Sequence, residues 1–241
     1  MFGLFRKKPV SFSELNINAD YHCHLLPGVD DGVQLFDESV SILRLMQQQG
    51  YKTVHLTPHI DSDSNRGVDE PFLKGKFREF TAALPDDITL DISLAAEYMV
   101  NQDFEDRIDS APLLCTEKKE VLIEMSYYYA SPNMDQAVFT LNMAGYNPVV
   151  AHPERYRYLV NNLSFFDKLR DMGCKFQLNL LSLSGVYGKS SMIILNYLLD
   201  GGYYDYVGTD THTLNHFERI VGMQLDRKLV DRLRAHNLIK Q

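Results

Sequence analysis

The chain has 241 residues, is 45% hydrophobic and carries a formal net charge of −8. That is enough apolar material for one large core and the wrong charge for the basic footprint of a nucleic-acid binder. No apolar run approaches the ~20 residues of a membrane span. The three cysteines, Cys23, Cys115 and Cys174, are widely spaced, which fits reduced thiols in a cytoplasm and excludes a disulfide framework.

In chain order, "MFGLFRKKPV" places its apolar residues before the basic cluster, the reverse of a secretory signal. Residues 1–14 are expected to be a flexible segment and 15–241 a single domain. Strands are expected at 15–22, 51–57, 88–96, 120–125, 147–152, 174–180 and 204–210, several of them apolar nearly throughout, as for strands covered on both faces. Between them lie helical patterns. Over 37–50, Asp37 suits an N-cap, Ile42, Leu45 and Met46 share a face, and Gly50 suits the stop. The stretches 134–144, 163–172 and 190–200 read similarly. Alternation of strand and helix about seven times predicts an α/β protein with a parallel sheet, open or closed into a barrel, whose ligands gather at strand C-termini.

Those ends carry an unusual set of side chains. The first strand ends in His22 and His24, with Asp30 and Asp31 in the following loop. The second ends in His59, the third in Glu97, the fourth in Glu124, the fifth in His152 and Arg155, and the seventh in Asp210 and His212. Singly, each is more simply a hydrogen-bonded structural residue. Jointly, so many acids converging would repel unless cations shield them, because burying an unpaired carboxylate costs several kcal/mol. His22 and His24 stand at i and i+2, so both imidazoles face one way and Cys23 faces the packing side. Asp210 and His212 repeat the spacing. The donors are nitrogen and oxygen without thiolate, which suits manganese, iron or zinc. His55 and His236 are read as structural. Gln177 and Asn179 share a face of the sixth strand, either to orient ligands or to pack. Tyr127 and Tyr128 read either as barrel-end packing or as a border of the cleft.

These motifs, "DYHCHLLPGVDDG", "TPH", "AAEY", "LIEMS", "AHPERY", "QLNLLSLSGVYG" and "GTDTH", resemble the polymerase-and-histidinol-phosphatase (PHP) superfamily. Within it they are most similar to the bacterial manganese-dependent tyrosine-protein phosphatases of capsule and exopolysaccharide operons. The resemblance implies a distorted (β/α)₇ TIM-like barrel with three divalent metal ions, expected to be Mn²⁺ with Fe or Zn as alternatives. It implies one ion on His22, His24, Glu97 and Asp210, a second on Glu97, Glu124 and His152, and a third on Asp31, His59 and His212. Asp31 is preferred to Asp30 because it precedes the glycine of "DDG". Arg155 matches the family's phosphate-binding arginine. A second family arginine beyond the DxH has no counterpart in "DTHTLNHFERI", where His216 or Arg219 could substitute.

The implied activity is hydrolysis of protein phosphotyrosine by metal-activated hydroxide, with His152, Arg155 and Asp210 in the catalytic set. No cysteine lies in a Cys-x₅-Arg loop, so a cysteine nucleophile is not expected. The implied partner is the tail of a membrane tyrosine autokinase, met in the cytoplasm by a protein not itself inserted in the membrane. The alternatives are a small-molecule phosphomonoesterase such as a histidinol phosphatase, a nucleic-acid phosphodiesterase, which the net charge disfavours, and a non-catalytic PHP binding module. Oligomeric state is left open.

Overall fold

A computed structural model describes residues 8–61 and 67–239. The chain opens with β1 (Val10–Ser11) and β2 (Ala19–Cys23), followed by α1 (Phe36–Gln48), β3 (Thr53–Leu56), β4 (His59–Ile60) and α2 (Glu70–Ala83). Next come β5 (Asp91–Leu94), β6 (Glu97–Met99), α3 (Phe104–Ser110), β7 (Glu120–Glu124), α4 (Met134–Met143), β8 (Asn147–Ala151), α5 (Ser164–Asp171) and β9 (Lys175–Asn179). The chain closes with α6 (Lys189–Asp200), β10 (Tyr204–Gly208), α7 (Leu214–Val221), β11 (Gln224–Leu225) and α8 (Arg227–Ala235).

The fold is α/β with parallel sheets. One sheet has the order β2-β3-β5 and another β10-β9-β8-β7-β6-β4, all neighbours parallel. Two short breaks separate them, at Thr57-Pro58 between β3 and β4 and at Ala95-Ala96 between β5 and β6. Pro58 has no N–H to give to a ladder. The chains nonetheless stay in register across the break, because Ala95 N donates to the Leu56 carbonyl at 2.8 Å and Glu97 N to the Pro58 carbonyl at 3.1 Å. On the other side, β10 and β2 are sewn together at their C-terminal ends. Asp210 N donates to the His22 carbonyl at 2.7 Å, His24 N to the Thr211 carbonyl at 2.9 Å, and the Thr209 N–H and hydroxyl both donate to the buried Asp20 carboxylate at 2.9 and 2.6 Å.

Alternation along the strands sorts side chains onto two faces. Outward residues such as Val121, Ile123, Val150, Phe176 and Leu178 join the main core under the helices, with Ile42, Leu141, Leu169 and Leu198. The inward face is layered. At its lower end the buried Glu120 takes the Lys175 ammonium at 2.7 Å and the Tyr206 hydroxyl. Above lies a small separate apolar cluster of Leu122, Val149 and Ala151. The strand C-termini carry the polar residues described below.

Several local expectations change. Residues 10–15 are ordered: Val10–Ser11 pairs antiparallel with Gln224–Leu225, and Val10, Phe12 and Leu15 are buried. The apolar residues of this stretch anchor it, and only residues 1–7 of the expected flexible segment lie outside the described residues. The strand expected from residue 15 begins at Ala19 because Phe12–Leu15 forms a 3₁₀ turn. Asp37 is not the N-cap of α1; Leu35 holds that place without a side-chain bond, and Asp37 lies in the first turn, where its charge favours the helix dipole. His55 bonds Ser93 at 2.6 Å, and His236 sits just beyond α8.

Candidate metal centre

All nine residues expected as ligands converge at one rim, each in at least one group whose donor atoms lie within 4.8 Å of one another. The middle of the cluster is Glu97, fully buried at the start of β6. Its Oε2 lies 3.0 Å from His22 Nε2, and 3.3 Å from both His24 Nε2 and His59 Nδ1. Its Oε1 lies 3.0 Å from His152 Nε2. Asp210 Oδ1 faces the same two imidazoles, 3.4 Å from each Nε2 of His22 and His24.

The other nitrogen of each ring is already engaged. His22 Nδ1 lies 2.9 Å from Gln177 Oε1, and His24 Nδ1 2.8 Å from Asp30 Oδ2. An imidazole that donates through Nδ1 keeps its lone pair on Nε2. The two Nε2 atoms are 2.9 Å apart, so two lone pairs and two carboxylate oxygens meet in one buried space. Such a set is repulsive by itself and suits a cation. Without one, the imidazoles hold the charge. Burial alone would lower the pKa of His22 and His24, but Glu97, Asp210 and Asp30 override it and raise both. Burial likewise opposes ionisation of Glu97 and Asp210, yet the facing imidazoles hold both carboxyls well below the ordinary range. His59 is raised to about 9 against burial and the neighbouring His24, chiefly by Glu97 and Glu124.

The neighbouring acids Asp30 and Asp31 divide their tasks. Asp30 is tucked against His24 and also accepts the His59 and Gly32 N–H groups at 3.0 Å each. Asp31 points outward, 3.5 Å from His59 Nε2 and 3.6 Å from His212 Nε2, while His212 Nδ1 donates to the Asp210 carbonyl at 2.8 Å. Glu124, at the end of β7, lies 3.0 Å from His59 Nδ1 and 3.9 Å from His152 Nε2. His59 therefore stands between the Glu124 side and the Asp31 side of the cluster.

The backbone is unusual where these residues leave their strands. His152 and Asp210 both take positive φ, 33° and 54°, a conformation that costs a non-glycine residue free energy and persists where surrounding structure imposes it. At position 208 a Cβ would sit 2.6 Å from His22 Cβ and 2.7 Å from Gln177 Nε2, so only glycine lets β10 approach these two side chains.

Arg155 lies beside the cluster on the short turn after β8. Its Nη1 is 2.6 Å from Asp210 Oδ2, and its guanidinium is sandwiched between the Tyr127 and Tyr187 rings, 4.2 and 4.7 Å from their centroids. The Tyr127 hydroxyl is 3.2 Å from His152 Nε2, which favours the cleft reading of that tyrosine over simple packing. Gln177 and Asn179 both hold expected ligands: Asn179 Nδ2 donates to Asp210 Oδ2 at 2.9 Å, and Gln177 Oε1 lies 2.9 Å from His22 Nδ1. His216 stacks on His212 with centroids 6.2 Å apart, and its Nε2 is buried without a hydrogen-bond partner among the described residues. Arg219 is exposed in the last turn of α7 and makes no ion pair to the cluster among the described residues.

Three contributors escaped the sequence reading: Tyr187, Asp20 and Glu154. Buried Glu154 accepts from Asn179 N at 2.9 Å, Ser182 Oγ at 2.7 Å and Tyr204 Oη at 2.9 Å, fixing the turn that carries Arg155. Its position inside "AHPER" was the available signal. The cluster opens into a cavity of about 780 Å³ bordered by Asp31, His59, Met99, Glu124, Tyr127 and the exposed Tyr128.

Residues 18–240 match the family model for capsular polysaccharide synthesis proteins CpsB/CapC. The tyrosine-protein phosphatase YwqE of Bacillus subtilis is 28% identical over 196 residues, 81% of this chain and 77% of its own length. The tyrosine-protein phosphatase CpsB of Streptococcus pneumoniae is 28% identical over 206 residues, 81% of this chain and 83% of its own. A crystal structure from work on YwqE and CpsB, described as unique metal-dependent tyrosine phosphatases, superposes with a TM-score of 0.74 at 26% identity, covering 92% of this chain and 97% of that one.

Proposed function

The chain belongs to the CpsB/CapC family of capsular polysaccharide synthesis, and on that premise we propose that it is a metal-dependent phosphatase that hydrolyses phosphotyrosine in proteins. The observation that carries the reading is the convergence of His22 Nε2, His24 Nε2, Glu97 Oε2 and Asp210 Oδ1, with Arg155 placed at its edge. In this reading three ions would be held by His22, His24, Glu97 and Asp210, by Glu97, Glu124 and His152, and by Asp31, His59 and His212, a partition supported by the close donor groups that these nine residues form. Mixed imidazole and carboxylate donors without thiolate suit Mn²⁺, Fe or Zn, and the resemblance to manganese-dependent phosphatases is what puts Mn²⁺ first. When bound, such ions would supply an acidic water near neutral pH and charge to neutralise phosphoryl oxygens.

The chain's own residues do the rest. Gln177 and Asp30 fix the tautomers of His22 and His24, so that both Nε2 lone pairs face the site. Arg155 is planar and preorganised by the two tyrosine rings, and its free N–H groups supply a bidentate clamp for phosphoryl oxygens. His216 is better placed than Arg219 for the second phosphate contact, because it stacks on His212 while Arg219 is solvent-exposed. Tyr127 walls the pocket in which a phosphorylated phenol would lie. We read the two sheets as one distorted (β/α)₇ barrel, joined through the in-register breaks and the Asp20 seam, and the chain from Val10 onward as its single domain.

The natural substrate in this reading is a membrane tyrosine autokinase met in the cytoplasm. It draws support from the family's tie to capsule synthesis, from three free cysteines, and from the lack of any helix long and apolar enough to cross a membrane among the described residues. The test is turnover of a phosphotyrosine peptide beside histidinol phosphate with Mn²⁺ present. Preference for the peptide is expected; turnover of histidinol phosphate alone would overturn the assignment.

A further inference from the structure

The cleft does not end at the metal side. A second cavity of about 570 Å³ adjoins the first and shares Asp61, Met99 and Ser126 with it. One wall is the turn after β6, with Gln102; the other is the loop after β7, with Tyr129, Ser131 and Asn133. The two walls keep a fixed spacing, since Val100 N donates to the Glu124 carbonyl at 2.9 Å. Among the described residues the lining consists mostly of amides, hydroxyls and an aromatic ring, with Asp61 the single charged residue.

Pockets for whole small ligands start near ~300 Å³, so the first cavity alone exceeds what a phosphorylated phenol requires. The added volume implies a longer substrate. The rim agrees. Tyr128 and Tyr129 are 87% and 67% exposed on adjacent positions, and exposed tyrosines beside a polar cleft offer rigid, amphipathic contact area for a polypeptide.

We propose that this second cavity is the subsite for the polypeptide that flanks the phosphotyrosine on one side, running extended from Met99 and Ser126 towards Gln102 and Asn133. The proposal rests on the phosphatase reading above and narrows it to macromolecular substrates. Uncharged polar flanks fit the lining.

The experiment compares kcat/KM for p-nitrophenyl phosphate, for phosphotyrosine blocked at both ends, and for a phosphotyrosine heptapeptide with uncharged flanks, using the full chain with Mn²⁺. The heptapeptide should exceed the blocked amino acid by about tenfold or more, as flank contacts add binding. Tyr129→Ala and Asn133→Ala should each erase most of that gain through KM and leave p-nitrophenyl phosphate turnover unchanged, and Tyr129→Phe should retain it. No heptapeptide advantage in the wild type, or equal effects of the substitutions on all three substrates, overturns the subsite. Failure to turn over either phosphotyrosine substrate, with another phosphomonoester hydrolysed, instead overturns the phosphatase reading beneath it.

Discussion

Arg155 and Asp210 form an ion pair, Nη1 to Oδ2 at 2.6 Å, on the side of the carboxylate turned away from His22 and His24. One carboxylate thus joins the candidate metal centre to the arginine proposed to bind phosphate. Arg155→Ala removes a charge-assisted, preorganised clamp, a loss of about 2–4 kcal/mol of transition-state stabilisation. The kcat/KM for a phosphotyrosine peptide should fall about 30- to 1000-fold, at ~1.4 kcal/mol per decade. Metal content should stay at the wild-type level, because Asn179 still holds the same carboxylate oxygen. Parallel kinetics and metal analysis check both halves.

Gln177 acts through His22. Its Oε1 accepts from His22 Nδ1 and lies 3.3 Å from the His152 N–H. Gln177→Leu preserves bulk and removes the acceptor, freeing the ring to take the wrong tautomer. Metal affinity should drop by about 10- to 100-fold, and excess Mn²⁺ should restore the rate. Titration of activity against free metal tests this; a saturation curve identical to wild type would show that Gln177 only packs.

Gly208→Ala places a methyl against His22 and Gln177 at once. Both neighbours are fully buried and cannot swing away, so the cost falls on the alignment of β10 with β2. Loss of bound metal together with a lowered Tm is expected by calorimetry and metal analysis, by more than an alanine placed at the half-buried Gly75 of α2, where nothing lies within 4 Å of the added Cβ.

Burial raises all three thiols: Cys23 well above its ordinary range, Cys174 to about 12, and Cys115 by a smaller step. A thiol held protonated is a poor nucleophile. Cys23→Ser should keep full specific activity under reducing conditions, and a thiol reagent should label only the half-buried Cys115 in the folded protein, as peptide mapping will show.

The candidate ligands at the strand ends were legible because each requirement left a local mark. His22 and His24 are two apart on one strand, and Glu97, Glu124, His152 and Asp210 each follow an apolar run. What could not be read were contacts made across the fold. Tyr187 meets Arg155 from 32 positions away, and Asp20 bonds Thr209 across the seam, with a sequence separation of 189; no spacing rule encodes either. The start of α1 was misplaced because an acid in the first turn and an acid at the N-cap look alike in sequence. The N-terminal segment was misread because its apolar residues are too few to show a period, although Val10 and Phe12 find buried places against the far end of the chain.

The central claim is that the nine converging side chains hold divalent ions on which phosphotyrosine hydrolysis depends. Its most direct test is metal content and phosphate release from a phosphotyrosine peptide measured on one preparation, before chelation, after EDTA and dialysis, and after adding back Mn²⁺, with Glu97→Gln alongside. The account predicts release that disappears with the metal, returns with Mn²⁺ at least as well as with Mg²⁺, and never rises in Glu97→Gln, whose metal content should be reduced. Full release from metal-free protein would contradict it.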